Sequence, residues 1–204
     1  MSETESLVII IDDDPDIREA LRSLLETIGL RAALFNSAAD FLKSKRPDGP
    51  CCIVLDVRLP ELGGLEVQQR LTQENIPIPV IFITGYGDIP MSVRAMKAGA
   101  TEFLTKPIHD QEFLEAVQAA LRRDTLRLDA EREVAGLRAR HRSLTLREQQ
   151  VMALLVAGRV NKQIAGELAV SEVTIRLHRL QVMRKMQVGS LAELIRAADR
   201  IKLP

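Results

Sequence analysis

Asp12, Asp13, Asp56, Thr84 and Lys106 are the residues in the first half of the chain whose types suit phosphoryl chemistry, and each stands at or just beyond the end of an apolar run. Two carboxylates ~5 Å apart repel by about 3 kcal/mol at an effective dielectric near 20, and three would be worse. A hard divalent cation with oxygen ligands relieves that repulsion. Mg²⁺ is the expected occupant, with Mn²⁺ as the alternative. Asp56 is then placed as a nucleophile able to form an aspartyl phosphate. Lys106 adds a positive charge suited to an incoming phosphoryl group, and the Thr84 hydroxyl can bond one of its oxygens. Each residue also has a plainer reading taken singly: the Asp triplet as a helix cap, Thr84-Gly85 as a turn, Lys106 as a solvated lysine.

Convergence of the five requires a particular fold. Leu7-Val8-Ile9-Ile10-Ile11 reads as a central strand ending at Asp12, and Pro15 opens a helix over 15–28. The pattern then repeats: strands over 31–35, 53–55, 80–83 and 102–104 alternate with helices over 38–43, 65–71, 90–98 and one starting at Asp110. Five strand-helix units predict an α/β, doubly wound, five-stranded parallel sheet. Its strand ends share one edge, which is where ligands sit in such sheets.

The whole chain of 204 residues is formally neutral, but its halves are not. Residues 1–119 hold 11 basic and 19 acidic side chains, whereas residues 120–204 hold 17 and 9. Opposite charge in the two halves predicts two jobs, with nucleic acid the partner to test for the basic half. No apolar stretch is long enough to span a membrane, and the start Met1-Ser2-Glu3-Thr4-Glu5 is acidic rather than basic, so a cytoplasmic location without membrane partners is expected. Cys51 and Cys52, adjacent within an apolar strand, read as buried hydrophobes rather than metal ligands.

The set Asp12-Asp13, Asp56, Thr84-Gly85 and Lys106-Pro107, together with Leu59-Pro60, Gly63-Gly64 and Ala98-Gly99-Ala100, resembles the receiver domain of two-component response regulators over residues 6 to about 120. The resemblance implies the flavodoxin-like strand order 2-1-3-4-5 and a cis Lys106-Pro107 bond. It further implies Mg²⁺ on Asp12, Asp13, Asp56 and the main-chain carbonyl of Arg58, phosphorylation of Asp56 by a histidine kinase, and phosphoryl contacts from Thr84 and Lys106. Phe103 matches the family's switch aromatic, acting with Thr84, although a lone Phe on a strand also suits a core. Val93 and Lys97, four apart on their helix, are the candidate patch for phosphorylation-dependent dimerisation.

Beyond Asp110 neither Gly nor Pro occurs until Gly136, so the last receiver helix is expected to continue into an arginine-rich linker helix, interrupted near Gly136. The expected domains are a receiver at 1–120, a helical linker at 121–142 acting mainly as a solvated spacer, and a small all-α unit of four helices at 143–204. Thr145 and Glu148 form a capping box, and a short helix, a turn at Ala169-Val170-Ser171 and a basic helix from Glu172, capped by Ser171, make a helix-turn-helix. On that third helix Ile175, Val182 and Met186 form the core stripe, while Val173, Arg176, Leu177, Leu180 and Arg184 share the opposite face. Arginines mixed with leucines suit a DNA major groove, with Arg179, Lys185 and Lys162 available to phosphates.

Leu144-Thr145-x-Arg147-Glu148, Gly158-x-x-Asn161-Lys162-x-Ile164-Ala165 and Arg184-Lys185-Met186 resemble the LuxR-type DNA-binding domain. The whole chain thus resembles response regulators of the FixJ/NarL type, and within them the StyR/TodT-like regulators of styrene and toluene breakdown. That resemblance implies a transcription factor, an activator, dimerised and brought to promoter DNA by phosphorylation, with RNA polymerase a further partner. The rival from another class is a phosphatase of the haloacid-dehalogenase kind. Such an enzyme needs an acid two residues after its nucleophile, where Arg58 stands here.

Overall fold

In a computed structural model the described residues are 6–85 and 89–202. Five strands, β1 (Leu7–Ile11), β2 (Arg31–Phe35), β3 (Cys51–Asp56), β4 (Val80–Thr84) and β5 (Glu102–Thr105), form one sheet in the order β2-β1-β3-β4-β5, every pair parallel. The helices between them are α1 (Pro15–Glu26), α2 (Ala38–Lys43), α3 (Gly64–Gln73) and α4 (Ile89–Lys97), and α5 (Asp110–Arg142) follows β5. Strand β3 is buried along its whole length, as an unbroken apolar run predicts for a strand covered on both faces. Alternate residues of β1, β3 and β4 supply two separate cores, Ile9, Ile53, Leu55 and Phe82 to one face and Val8, Ile10, Val54 and Ile81 to the other.

Local chemistry fixes the helix starts. Asp14 caps α1, its Oδ1 accepting from the main-chain N–H of Asp16 at 2.9 Å, with Pro15 at the first helical position. Gly64 opens α3 where a side chain would not fit: a Cβ would lie 2.4 Å from the carbonyl oxygen of Asp56. Its N–H instead donates to the carbonyl of Val57 at 3.0 Å, which ties the α3 start to the loop carrying Asp56.

The chain divides into two compact units between Leu128 and Asp129, inside α5. Two expectations for this region fail. Helix α5 runs through Gly136 without a break. A glycine costs a helix interior about 1 kcal/mol relative to alanine, and burial of a side chain such as the neighbouring Leu137 contributes about 1.5–3 kcal/mol. The expectation of a solvated spacer fails toward the two ends of 121–142, where Leu121 lies in the receiver core, Asp124 is fully buried and Leu137 lies in the C-terminal core, whereas most of 125–136 is exposed.

Asp124 has a definite task. The N–H of Cys51 faces the β4 side of β3, but the β3–β4 ladder starts only at Ile53 and Val80. With no strand carbonyl available, Asp124 Oδ2 accepts from that N–H at 2.9 Å, and Arg127 holds Oδ1 at 2.8 Å. The neighbouring thiols are inert: burial, then the charge of Asp124, pushes Cys51 up to about 11, and burial raises Cys52 further.

The second unit holds α6 (Leu146–Val156), α7 (Asn161–Glu167), α8 (Glu172–Met186) and α9 (Leu191–Arg200) around Val151, Met152, Ile164, Ile175, Val182 and Leu194. Ala169, in the left-handed region at φ 53°, forms the tight α7–α8 turn. Among the described residues no helix is long and apolar enough to cross a membrane.

Candidate functional site

The parallel sheet brings the ends of β1, β3, β4 and β5 to one edge, and with them the acidic residues singled out above. Lys106 Nζ lies between two carboxylates, donating to Asp12 Oδ2 at 2.7 Å and to Asp56 Oδ2 at 2.6 Å. The other oxygen of each acid takes a main-chain N–H, Asp14 to Asp12 Oδ1 at 2.9 Å and Arg58 to Asp56 Oδ1 at 2.8 Å. Asp12 and Asp56 are buried, while Asp13 is exposed at the mouth.

Electrostatics leaves this site short of positive charge. Carboxylate oxygens of Asp12, Asp13 and Asp56 lie within 4.8 Å of one another, and Lys106 is the only cation bonded to any of them among the described residues. At that separation each pair of charges repels by about 3 kcal/mol at an effective dielectric near 20. Burial raises the Asp12 carboxyl above its ordinary range, against the Lys106 and Asp14 hydrogen bonds, and the Asp56 charge adds to the rise. Burial alone would lower Lys106, but its hydrogen bonds to Asp12 and Asp56 prevail and raise it, so it stays charged. Three acids face one bonded ammonium, the next cation being Arg18, whose Nη1 donates to the Asp12 main-chain carbonyl at 2.6 Å, and the donor atoms of the acids are all hard oxygens. That donor set fits a divalent cation such as Mg²⁺.

Thr84 is buried at the end of β4, beside Thr105 in the ladder, and its carbonyl accepts from the Lys106 N–H at 2.8 Å. The Lys106-Pro107 bond is cis. Phe103 is half-buried with its ring 6.4 Å from that of Phe82, so it reaches the core without being enclosed by it. Val93 and Lys97 are both exposed on α4.

In the second unit the two stripes of α8 separate as their spacing predicts. Ile175, Val182 and Met186 are fully buried, whereas Val173, Leu177 and Leu180 are 64%, 60% and 62% exposed beside exposed Arg176 and Arg184. Lys162 is exposed near the start of α7, and Arg179 is half-buried. Lys185 is differently placed: its Nζ pairs with Glu148 Oε2 at 2.6 Å. Glu148 in turn closes the capping box, accepting from the Thr145 N–H at 2.8 Å. Arg147 holds the end of α7 by donating to the Leu168 carbonyl at 2.5 Å. The paired Arg147-Glu148 is therefore a clasp that ties α6 to both helices of the helix-turn-helix.

Residues 8–118 match the family described as response regulator receiver domain, and residues 142–198 that described as bacterial regulatory proteins, luxR family. The chain is a two-component response regulator. Nodulation protein W of Bradyrhizobium diazoefficiens is 49% identical over 198 residues, covering 97% of this chain and 87% of that one. The response regulator protein TodT of Pseudomonas putida is 45% identical over 202 residues, covering 99% and 89%. Among solved structures, response regulator StyR superposes with a TM-score of 0.87 at 45% identity, covering 96% of this chain and 99% of that chain. Full-length FixJ from B. japonicum gives 0.57 at 39% identity, covering 98% of each. This response regulator thus couples a receiver to a LuxR-type DNA-binding domain.

Proposed function

We propose that Asp56 accepts a phosphoryl group from the phosphohistidine of a sensor histidine kinase, and that this promotes dimerisation and promoter binding. The observation that carries the reading is Lys106, held at 2.7 and 2.6 Å between Asp12 and Asp56 at the sheet edge. A carboxylate oxygen of Asp56 attacks phosphorus, the P–N bond breaks, and its electron pair remains on the donor imidazole. Asp12, Asp13, Asp56 and the Arg58 main-chain carbonyl would hold Mg²⁺ or Mn²⁺, which when bound would supply positive charge to the reacting oxygens. Lys106 neutralises a further phosphoryl oxygen, and the Thr84 hydroxyl binds another. Thr84 then draws toward the phosphoryl group and Phe103 turns into the space it leaves.

The exposed Val93 and Lys97 on α4 serve as the dimer patch in this reading. Val173, Arg176, Leu177, Leu180 and Arg184 face the major groove of promoter DNA, while Lys162 and Arg179 meet phosphates. The Glu148 pair gives Lys185 a bracing role beside its expected phosphate contact. The protein acts in the cytoplasm as an activator, with RNA polymerase as a further partner. Its only catalysis is the gain and loss of its own phosphoryl group, consistent with Arg58 standing where a dehalogenase-type hydrolase needs an acid.

Labelling with acetyl phosphate and Mg²⁺ tests the acceptor: Asp56→Asn should abolish it, and undiminished labelling would move the site elsewhere. Sequencing of genomic fragments bound with and without acetyl phosphate would identify the promoters. Enrichment of genes for aromatic hydrocarbon breakdown is the outcome that the likeness to StyR and TodT favours.

A further inference from the structure

The main chain that carries Asp12 and Asp13 lies where the sheet runs out. The last paired residues of the β1–β2 ladder are Ile11 and Phe35, and the Asp12 N–H still reaches the Phe35 carbonyl at 3.2 Å. The Asp12 carbonyl points to the same side, where a longer β2 would offer it the N–H of Ser37. The chain instead bends at Asn36, and Ser37 becomes the N-cap of α2. No main-chain N–H meets the Asp12 carbonyl among the described residues, yet Asp12 is fully buried and the oxygen needs a donor. Arg18, in the first turn of α1, provides one: its Nη1 donates to that oxygen at 2.6 Å.

The guanidinium is half-buried and pairs with no carboxylate among the described residues, although Asp13, Asp14 and Asp16 are near it in sequence and exposed. A bond from a charged donor is about twice as strong as a neutral one, and the planar guanidinium loses little freedom in making it. Such a bond has a load to bear. The acids of Asp12, Asp13 and Asp56 lie within 4.8 Å of one another, and their repulsion pushes the β1–α1 turn away from β3. Lys106 and the Asp14 N–H restrain the Asp12 carboxylate, whereas Arg18 restrains the backbone behind it.

We infer that Arg18 is a positioning residue for the cation site, standing in for the absent β2 N–H and holding the turn from which Asp12 and Asp13 face Asp56. It touches neither the cation nor the phosphoryl group. The inference rests on the acid cluster being the Mg²⁺ site of the proposed phosphoryl transfer. Groups one bond behind a metal's ligands typically govern roughly 10–100-fold in metal affinity. The sign separates this role from simple charge: as a bare cation Arg18 repels Mg²⁺ and its loss would tighten binding, whereas as a positioning residue its loss weakens binding.

Mg²⁺ titration of the full-length, isotope-labelled protein, followed by amide shifts around the acid cluster, tests it. Arg18→Met keeps the aliphatic stem and loses every donor, and should raise the Mg²⁺ Kd by about tenfold. Arg18→Lys keeps the charge and one donor group and should recover most of that loss. Arg22→Ala removes one cation from the same helix at a residue paired with Glu19 and Glu26, and should leave the Kd unchanged. The same spectra without Mg²⁺ show whether each variant keeps the receiver fold. With the wild type responding to Mg²⁺, an unchanged or lower Kd for Arg18→Met, or a Kd for Arg18→Lys no better than that of Arg18→Met, would overturn the positioning role alone. Equal weakening by Arg22→Ala would reduce the effect to α1 as a whole and overturn it too. Wild-type amides that do not respond to Mg²⁺ would remove the cation site, and the role of Arg18 with it.

Discussion

Replacing Asp124 by alanine should destabilise the receiver unit by about 2–4 kcal/mol, although the residue lies in what reads as linker. The magnitude has two parts. The Cys51 N–H loses its acceptor in a fully buried setting, and an unsatisfied buried donor costs about 1–3 kcal/mol. Arg127 loses its carboxylate, but its side chain is 25% exposed and can turn to water. Its penalty is therefore well below the roughly 3–5 kcal/mol of a fully buried broken pair. Asp124→Asn keeps an acceptor for Cys51 and loses only the charge, so about half the cost should remain. Urea unfolding followed by circular dichroism gives the difference, provided the transition of the receiver unit is separated from that of the C-terminal unit. Amide exchange at Cys51 localises it. Equal losses for alanine and asparagine would refute the role as a substitute strand carbonyl. A loss below about 0.5 kcal/mol for alanine, the range of ordinary surface changes, would return the segment to the solvated spacer.

Gly64→Ala should cost at least as much as a core overpacking change, about 1–3 kcal/mol, because its Cβ would press on the Asp56 carbonyl; acetyl phosphate labelling should slow in step with the lowered melting temperature. Glu148 is held below its ordinary value chiefly by the Lys185 hydrogen bond, so its contribution is complete above about pH 4.5 and is lost as pH falls through the depressed folded value. Glu148→Gln should therefore flatten the acid-side loss of stability of the C-terminal unit, measured as urea midpoint against pH. Arg176→Ala should lose roughly 1–3 kcal/mol on selected DNA and relax its preference, while Lys162→Ala should weaken all duplexes alike. Equal losses on selected and random DNA for Arg176→Ala would exclude a base contact.

The receiver site was legible because its residues break a simple rule: a polar side chain ends an otherwise apolar strand, and parallel topology carries all strand ends to one edge. Asp12, Asp56, Thr84 and Lys106 follow from that alone. Asp124 was not legible, since a charged residue among arginines in a helix has the pattern of a solvated face whether or not a bare N–H waits opposite. Only the register of β3 against β4, which no local pattern encodes, creates the need. Lys185 was read for its charge alone, although Glu148 lies 37 residues away and becomes its neighbour only through the packing of α6 on α8. Continuity at Gly136 likewise depends on a core supplied by later helices.

Strand β3 links both ends of the receiver unit, Asp56 at one terminus and Cys51, bonded to Asp124, at the other. It is nonetheless a poor carrier for a conformational signal. Every residue is buried, both neighbours are bonded to it, and Gly64 locks the loop after it, so displacement would disturb two cores at once. Helix α4 contrasts with this, since Ala95 is its one buried residue and Val93, Met96 and Ile89 stand exposed. Phe103 on the adjoining β5 is only half-enclosed. On the proposed reading, a phosphoryl group pulling on Thr84 at the end of β4 would meet least resistance toward α4 and β5. The closely packed strand holds Asp56 and is tied to α5, and the weakly packed flank would supply the surface that changes.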